Sequence, residues 1–131
     1  MRSPRVLVVD DEKYVRGFLR DILAGWGYEV DVAADGREGL RLLVERAWDL
    51  LVTDLQMPGL SGLDLVQTVR LRGSAVPVVM LTASTGDAAP HTERLDFKLL
   101  PKPVQIQDLE AAVRGVLGDP SVMPSSTVSL D

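Results

Sequence analysis

The sequence contains no cysteine and only one histidine, His91, among its 131 residues. The absence of cysteine excludes disulfide bonds, thiolate metal sites and cysteine nucleophiles. A single histidine cannot build a histidine-rich metal centre, and we assign His91 no functional role. Any metal site or covalent chemistry must therefore use other residue types.

Long apolar runs are also missing. The longest nearly continuous apolar stretch covers residues 76–81 and contains a proline, which is far short of the ~20 residues that a membrane-spanning helix needs. Only four apolar residues stand between Arg5 and Asp10, too few for the apolar region of a secretory signal. We expect no contact with a membrane and a cytoplasmic location.

The sequence also has no excess of positive charge, because it contains 14 lysines and arginines and 19 acidic residues, which gives a net charge of -5. This balance argues against direct binding to nucleic acid, because phosphate backbones attract basic surfaces. Hydrophobic residues make up 46% of the sequence and charged residues 25%, as in ordinary globular domains. A chain of this length can bury a substantial core.

Short apolar runs alternate with stretches in which apolar residues recur every three or four positions. The runs predict buried strands and the spacing predicts amphipathic helices. The predicted strands cover residues 5–9, 29–33, 50–53, 76–81 and 99–100. Five βα units in succession predict an α/β fold, with a parallel sheet covered by helices on both faces.

Two regions depart from this regular pattern. Residues 86–95 predict only a short, weakly patterned fourth helix. Residues 118–131 are rich in proline, serine, threonine and glycine, and we expect a disordered tail or linker there. One domain over residues 1–117 is therefore predicted.

Polar side chains follow four of the predicted strands at the point where each strand ends. They are Asp10 and Asp11, Asp54, Thr82, and Lys102. In open parallel sheets, functional groups gather at the carboxyl ends of the strands. Three carboxylates in one pocket repel each other unless a cation compensates them, and Mg²⁺ prefers oxygen ligands.

The same residues suit phosphoryl chemistry. An aspartate can act as a nucleophile toward phosphorus when a metal ion and an ammonium group offset the charge. Lys102 can supply that ammonium, and the Thr82 hydroxyl can donate to a phosphoryl oxygen. The pattern therefore predicts a site for Mg²⁺ and a phosphoryl group.

Four segments, in order, resemble the signature of response-regulator receiver domains of two-component signal transduction. They are Asp10-Asp11, Asp54-Leu-Gln-Met-Pro58-Gly, Leu81-Thr82-Ala83 and Lys102-Pro103. The resemblance extends over about residues 5–117. It implies a flavodoxin-like, doubly wound (βα)5 sheet with strand order 2-1-3-4-5.

The resemblance also implies roles for individual residues. Asp54 would accept a phosphoryl group from a histidine kinase or phosphotransfer protein. Asp11, Asp54 and the backbone carbonyl of Gln56 would bind Mg²⁺ directly, and Asp10 would bind it through water. Thr82 and Lys102 would contact the phosphoryl group, and the Lys102-Pro103 peptide bond would be cis.

On this interpretation the chain is a signalling switch or phosphorelay module and not a turnover enzyme. Residues 118–131 are too few for a DNA-binding fold, so we expect no effector domain within this chain. A downstream protein is a further possible partner. The sequence leaves open whether the chain is a single-domain regulator, a phosphate sink, or part of a hybrid kinase or longer regulator.

The sequence departs from the receiver pattern in more than one place. The stretch from Thr82 to Lys102 is short for the family, and Leu95 stands where a glycine is common ahead of strand 5. Receivers usually carry tyrosine or phenylalanine three residues before the lysine, where this chain has Leu99. Phe97 lies two residues earlier on the same face, roughly 6.6 Å away, and cannot simply replace it. We therefore expect the phosphorylation chemistry to be retained, while the face formed by helix 4, strand 5 and helix 5 signals in a non-standard way or hardly at all.

Simpler interpretations exist for single residues and for the whole chain. Asp10-Asp11 alone would suit the beginning of a helix, and Val15, Phe18, Trp26 and Trp48 are expected to be packing residues. One alternative function is a receiver-like interaction domain that accepts no phosphate. Another is a Mg²⁺-dependent phosphatase of the haloacid dehalogenase type, which would need a second acid at position 56, where this chain has glutamine.

Overall fold

The structure, a computed structural model, describes residues 3–118. The tail predicted from residue 118 onward therefore lies outside the described residues, apart from Gly118. Five parallel strands form one sheet in the order β2-β1-β3-β4-β5. The strands are β1 Arg5–Val9, β2 Glu29–Ala33, β3 Leu50–Asp54, β4 Val78–Thr82 and β5 Lys98–Pro101. The predicted fold class and strand order are confirmed.

Helical segments connect the strands. They are α1 Lys13–Gly25, α2 Gly36–Glu45, α3 Gly62–Leu71, α4 Thr85–Ala88, a 3₁₀ turn Ala89–His91, α5 Thr92–Leu95 and α6 Ile106–Leu117. Ser61 caps α3, because its side chain accepts the Asp64 N–H while the Asp64 carboxylate accepts the Ser61 N–H. None of the helices within residues 3–118 is long and apolar enough to cross a membrane.

The core lies on both faces of the sheet. Every residue of β3 and β4 is buried, which explains why these strands appear as continuous apolar runs. Side chains such as Leu7, Leu51 and Met80 face a cluster that includes α3, while Val8 and Leu81 face one that includes α1 and α6. The edge strands β2 and β5 remain partly exposed.

The prediction that Phe18 belongs to the core is wrong, because 48% of its surface is exposed. Leu19 and Leu23, four residues apart, form the buried face of α1, and Phe18 is turned about 100° away from Leu19 around the helix axis. Val15 is half-buried against the core as expected. Trp26 and Trp48 also pack against the core, but each lies beyond the end of a helix.

The segment between β4 and β5 is irregular, as predicted, because α4 and α5 have only four residues each. Asp96 ends α5 in the left-handed conformation with φ 57°, one residue after Leu95. The Arg70 guanidinium of α3 holds this turn by donating to the carbonyls of Leu95 at 2.8 Å and Asp96 at 2.9 Å. Burial lowers the pKa of Arg70, and the nearby Asp96 carboxylate opposes that shift.

Candidate phosphoacceptor site

The carboxyl ends of four strands bring the predicted site residues to one rim of the sheet. Asp10 follows β1, Asp54 ends β3, Thr82 ends β4 and Lys102 follows β5. Two backbone hydrogen bonds continue the sheet at this rim, from Leu55 N–H to the Leu81 carbonyl and from Lys102 N–H to the Thr82 carbonyl, both 2.9 Å long. The positions of these side chains are thus set by strand pairing.

Asp10, Asp11 and Asp54 form a carboxylate cluster at this rim. One oxygen from each lies within 4.8 Å of the others. Asp10 and Asp54 are buried and Asp11 is exposed, so the cluster opens to solvent on one side. A cluster of carboxylate oxygens suits a hard divalent cation such as Mg²⁺.

Lys102 contacts two of these carboxylates. Its Nζ lies 3.1 Å from Oδ1 of Asp54 and 3.6 Å from Oδ2 of Asp10. Oδ2 of Asp10 is buried and accepts no hydrogen bond from the part of the chain that the structure describes. One ammonium therefore compensates two buried carboxylates, and the Asp10 oxygen still lacks a hydrogen-bond donor.

The electrostatic environment of Asp10 is unfavourable for its charged form. Burial raises the pKa of Asp10, and the negative charges of Asp54 and Asp11 raise it further. The Glu12 N–H, which donates to Oδ1 at 2.8 Å, and the Lys102 ammonium both lower it. A cation at the cluster would relieve the remaining repulsion.

The alternative role of Asp10-Asp11 as a helix start does not hold in detail. Glu12 occupies the N-cap position of α1, and no acidic residue lies in the first turn of that helix. Asp10 nevertheless stabilises the approach to the helix through the Glu12 N–H. Arg16, within α1, also stabilises the segment before the helix, because its Nη1 donates to the Asp10 carbonyl at 2.7 Å.

Thr82 and the loops beyond the strands form the other side of the site. Thr82 is fully buried, and its Oγ1 accepts the Ser84 N–H at 2.9 Å. A hydroxyl that accepts one hydrogen bond can still donate its own proton. The Gln56 side chain reaches Oγ of Ser84 at 3.4 Å, which connects the loop after β3 with the loop after β4.

Gly62 is important to the site, although the sequence patterns did not single it out. A Cβ atom at Gly62 would overlap the carbonyl oxygen of Asp54 and contact Cα of Leu55. The Gly62 N–H also donates to the Leu55 carbonyl at 2.8 Å. The available signal was a glycine at the first position of a capped helix directly after a functional strand.

The expected cis bond between Lys102 and Pro103 is present.

The sequence profile of the response regulator receiver domain matches residues 6–114. The chain belongs to this family. Receiver domains bind Mg²⁺ at an acidic pocket and interact with histidine kinases or phosphotransfer proteins, and they are generally non-catalytic signalling modules. In this receiver domain, Asp10, Asp11 and Asp54 form a cluster of acidic side chains.

Similar proteins agree with this assignment. The response regulator MprA of Mycolicibacterium vanbaalenii is 36% identical over 138 aligned positions, which cover 97% of this chain and 60% of MprA. The receiver domain thus spans about three fifths of the length of that relative. The Vibrio cholerae chemotaxis protein CheY4 superposes with a TM-score of 0.81 at 31% identity, over 88% of this chain and 99% of CheY4.

A third similar structure was determined with a ligand. The response regulator TrrA of Thermotoga maritima, in complex with Mg²⁺ and BeF, gives a TM-score of 0.79 at 31% identity. The superposition covers 89% of this receiver domain and all of TrrA.

Proposed function

We propose that Asp54 accepts a phosphoryl group from a histidine kinase or phosphotransfer protein in a Mg²⁺-dependent reaction. The chain then acts in the cytoplasm as a signalling switch or relay. One observation carries this proposal: Asp54 is at once a member of the carboxylate cluster and the partner of Lys102 at 3.1 Å. A cation on one side and an ammonium on the other are what phosphoryl transfer to a carboxylate requires.

In the proposed reaction a carboxylate oxygen of Asp54 attacks the phosphorus of a phosphohistidine. The new P–O bond forms as the P–N bond breaks, and its electron pair returns to the imidazole of the donor. The charge of Lys102 holds the Asp54 carboxylate in place and offsets the negative charge of the incoming group. Because Asp54 is mostly buried and lies at the rim, the donor must approach from the open side of the cluster.

The residues present suit a bound Mg²⁺. Asp11, Asp54 and the backbone carbonyl of Gln56 would bind the ion directly, and Asp10 would bind through a water molecule. The buried Oδ2 of Asp10, which lacks a hydrogen-bond donor within residues 3–118, supports the water-mediated contact. When bound, the ion neutralises the carboxylates and the oxygens of the phosphoryl group.

Thr82 would donate its hydroxyl proton to a phosphoryl oxygen on Asp54. The Ser84 N–H already occupies one lone pair of this hydroxyl, which favours orientations in which the proton points elsewhere. Gln56 and Ser84 lie at the mouth of the same pocket and contact each other. We infer that this pair limits how water reaches the phosphoryl group.

Two other functions make different demands on the site and would behave differently toward a phosphoryl donor. A receiver-like interaction domain would form no adduct, and the presence of all the proposed site residues in the sequence argues against it. A phosphatase of the haloacid dehalogenase type would need a second acid two residues after the nucleophile to protonate the leaving group, and Gln56 cannot donate a proton in this way.

Incubation with acetyl phosphate and Mg²⁺, followed by intact-mass measurement, separates these functions. The proposal expects a single phosphoryl adduct, which is absent in Asp54→Asn and absent when Mg²⁺ is chelated. Asp21→Asn is the matched control, because Asp21 is an exposed acid outside the cluster. No adduct in the wild-type chain would favour the interaction domain, and continuous phosphate release with turnover would favour the phosphatase.

A further inference from the structure

A groove lies between the C-terminal ends of α2 and α3, at the end of the sheet opposite the carboxylate cluster. Two adjoining pockets of about 330 and 180 Å³, which share Leu43 and Ser74, form this groove. Val44, Trp48, Val69 and Val76 supply most of its remaining apolar lining. We refer to these six residues as the α2–α3 groove.

Two arginines flank the apolar lining. Arg46 contacts Asp31 at 3.4 Å in an exposed ion pair. Arg72 lies beside the larger pocket, and no carboxylate within residues 3–118 comes within 4.0 Å of it. Apolar walls with a basic rim suit a segment that carries apolar side chains and acidic groups.

The end of α6 lies at this same end of the sheet. The Tyr28 hydroxyl donates to the Gly118 carbonyl at 2.6 Å, and Tyr28 directly precedes β2. Arg5 begins the neighbouring strand β1, where it pairs in register with Glu29 of β2. The Arg5 guanidinium lies 5.1 Å from the centre of the Trp48 ring, which lines the groove. A short path across the ends of β2 and β1 therefore leads from Gly118 to the groove.

The sequence after Gly118 has the composition that the groove requires. Residues 119–131 contain no lysine or arginine. They carry four aliphatic or methionine side chains and two aspartates, namely Val122, Met123, Val128, Leu130, Asp119 and Asp131. Thirteen residues can span roughly 43 Å when extended, which exceeds the path of strand spacings and side chains described above.

We propose that residues 119–131 dock in the α2–α3 groove of their own chain, with apolar side chains against Val44 and Trp48 and an aspartate near Arg72. Covalent attachment gives the segment a high effective concentration at the groove, so few contacts are sufficient. The groove lies at the opposite end of the sheet from Asp54. Docking is therefore independent of phosphorylation, and its failure would leave the proposed function untouched.

A nitroxide label tests this proposal directly, since the chain has no native cysteine. Ser126→Cys in the full chain carries the label, and paramagnetic broadening is measured at the backbone amides. We expect several-fold signal loss at residues 43–48 and 72–76. Much smaller losses are expected at the carboxylate cluster on the opposite end of the sheet.

Val44→Glu and Arg72→Glu, made separately in the labelled chain, should both restore the groove signals. Leu71→Glu is the matched control, because Leu71 is 81% exposed and does not line the groove. Val44 is itself half exposed, so its substitution leaves the core intact. Equal broadening over both ends of the sheet, or broadening unchanged in both groove variants, would overturn the proposal. Groove broadening that appears on unlabelled chains mixed with labelled ones would assign the groove to a second copy and would also overturn it.

Discussion

The ammonium nitrogen of Lys102 lies 3.1 Å from Oδ1 of Asp54, although the two residues belong to opposite sides of β4 in the sheet. The Lys102 N–H donates to the Thr82 carbonyl at the end of β4, which fixes where the lysine side chain begins. The contact therefore depends on the pairing of β5 with β4. It links a short, partly exposed edge strand to the proposed phosphoacceptor.

Replacing Lys102 by methionine should slow the formation of the Asp54 adduct. A hydrogen bond to a charged group contributes about 1.5–3 kcal/mol, which corresponds to roughly a 10- to 160-fold lower rate if the contact is made in the transition state. The rate is followed by intact mass with acetyl phosphate and Mg²⁺. Lys98→Met, at the beginning of β5 and with an exposed side chain, is the control and should react like the wild type. Equal rates for both variants would contradict the role of Lys102.

The metal-free protein should lose stability as the pH rises through the titration of Asp10. The folded state raises the pKa of Asp10 above its ordinary value of 3.8, so the folded state holds the proton more tightly than the unfolded state. The stabilisation is complete below that ordinary value and is lost as the pH rises through the higher folded pKa. Asp10→Asn should therefore be more stable than the wild type at neutral pH, with chelator present.

Urea unfolding at several pH values measures this effect. The stability difference between Asp10→Asn and the wild type should shrink toward acidic pH, where Asp10 is protonated in both states. Asp21→Asn, an exposed acid, controls for net charge. A difference that grows toward acidic pH would contradict the inferred direction of the shift.

Gly62→Ala should destabilise the domain, because the added Cβ would overlap the carbonyl oxygen of Asp54. Overpacking of this kind costs about 1–3 kcal/mol, and it displaces the end of β3 where Asp54 lies. Gly115→Ala is the matched control, since within residues 3–118 nothing beyond its own turn of α6 and its chain neighbours lies within 4 Å of the added Cβ. That substitution should stabilise the helix by up to about 1 kcal/mol. Urea unfolding of both variants tests the comparison, and equal effects would rule out close approach as the reason for glycine at position 62.

The response to phosphorylation should be small around β5. Position 99 carries a leucine, which has no ring to rotate, and it packs against the core. The Phe97 ring nearby is buried in the same cluster. Arg70 also holds the turn before β5 through the carbonyls of Leu95 and Asp96. Amide hydrogen exchange with and without a beryllofluoride phosphoryl mimic should change little at residues 95–101. Large protection changes there, with rotation of the Phe97 ring, would contradict this expectation.

Much of the site could be predicted because the strand ends are visible in the sequence. Polar side chains follow four of the five predicted strands, and parallel strands bring their carboxyl ends to one rim. Asp54, Thr82 and Lys102 were therefore predicted to lie near one another without knowledge of any loop. The structure confirms that proximity for Asp54 and Lys102.

Features that depend on loop geometry could not be predicted in this way. The contact between Gln56 and Ser84 joins two loops whose paths are not encoded in apolar spacing. The close approach of Gly62 to Asp54 depends on where α3 begins relative to β3. Phe18 was misassigned because apolar spacing marks a broad face of α1, whereas only a narrow stripe around Leu19 and Leu23 is buried.

The central claim is that the acceptor of the phosphoryl group is Asp54. The most direct measurement treats the acetyl phosphate adduct with borohydride, which reduces an aspartyl phosphate to homoserine, and then locates the product by peptide mass spectrometry. We predict homoserine at position 54 and at no other aspartate, with aspartate retained there when Mg²⁺ is chelated. Homoserine at Asp10 or Asp11, or a phosphoryl group that resists borohydride on a serine or threonine, would contradict the claim.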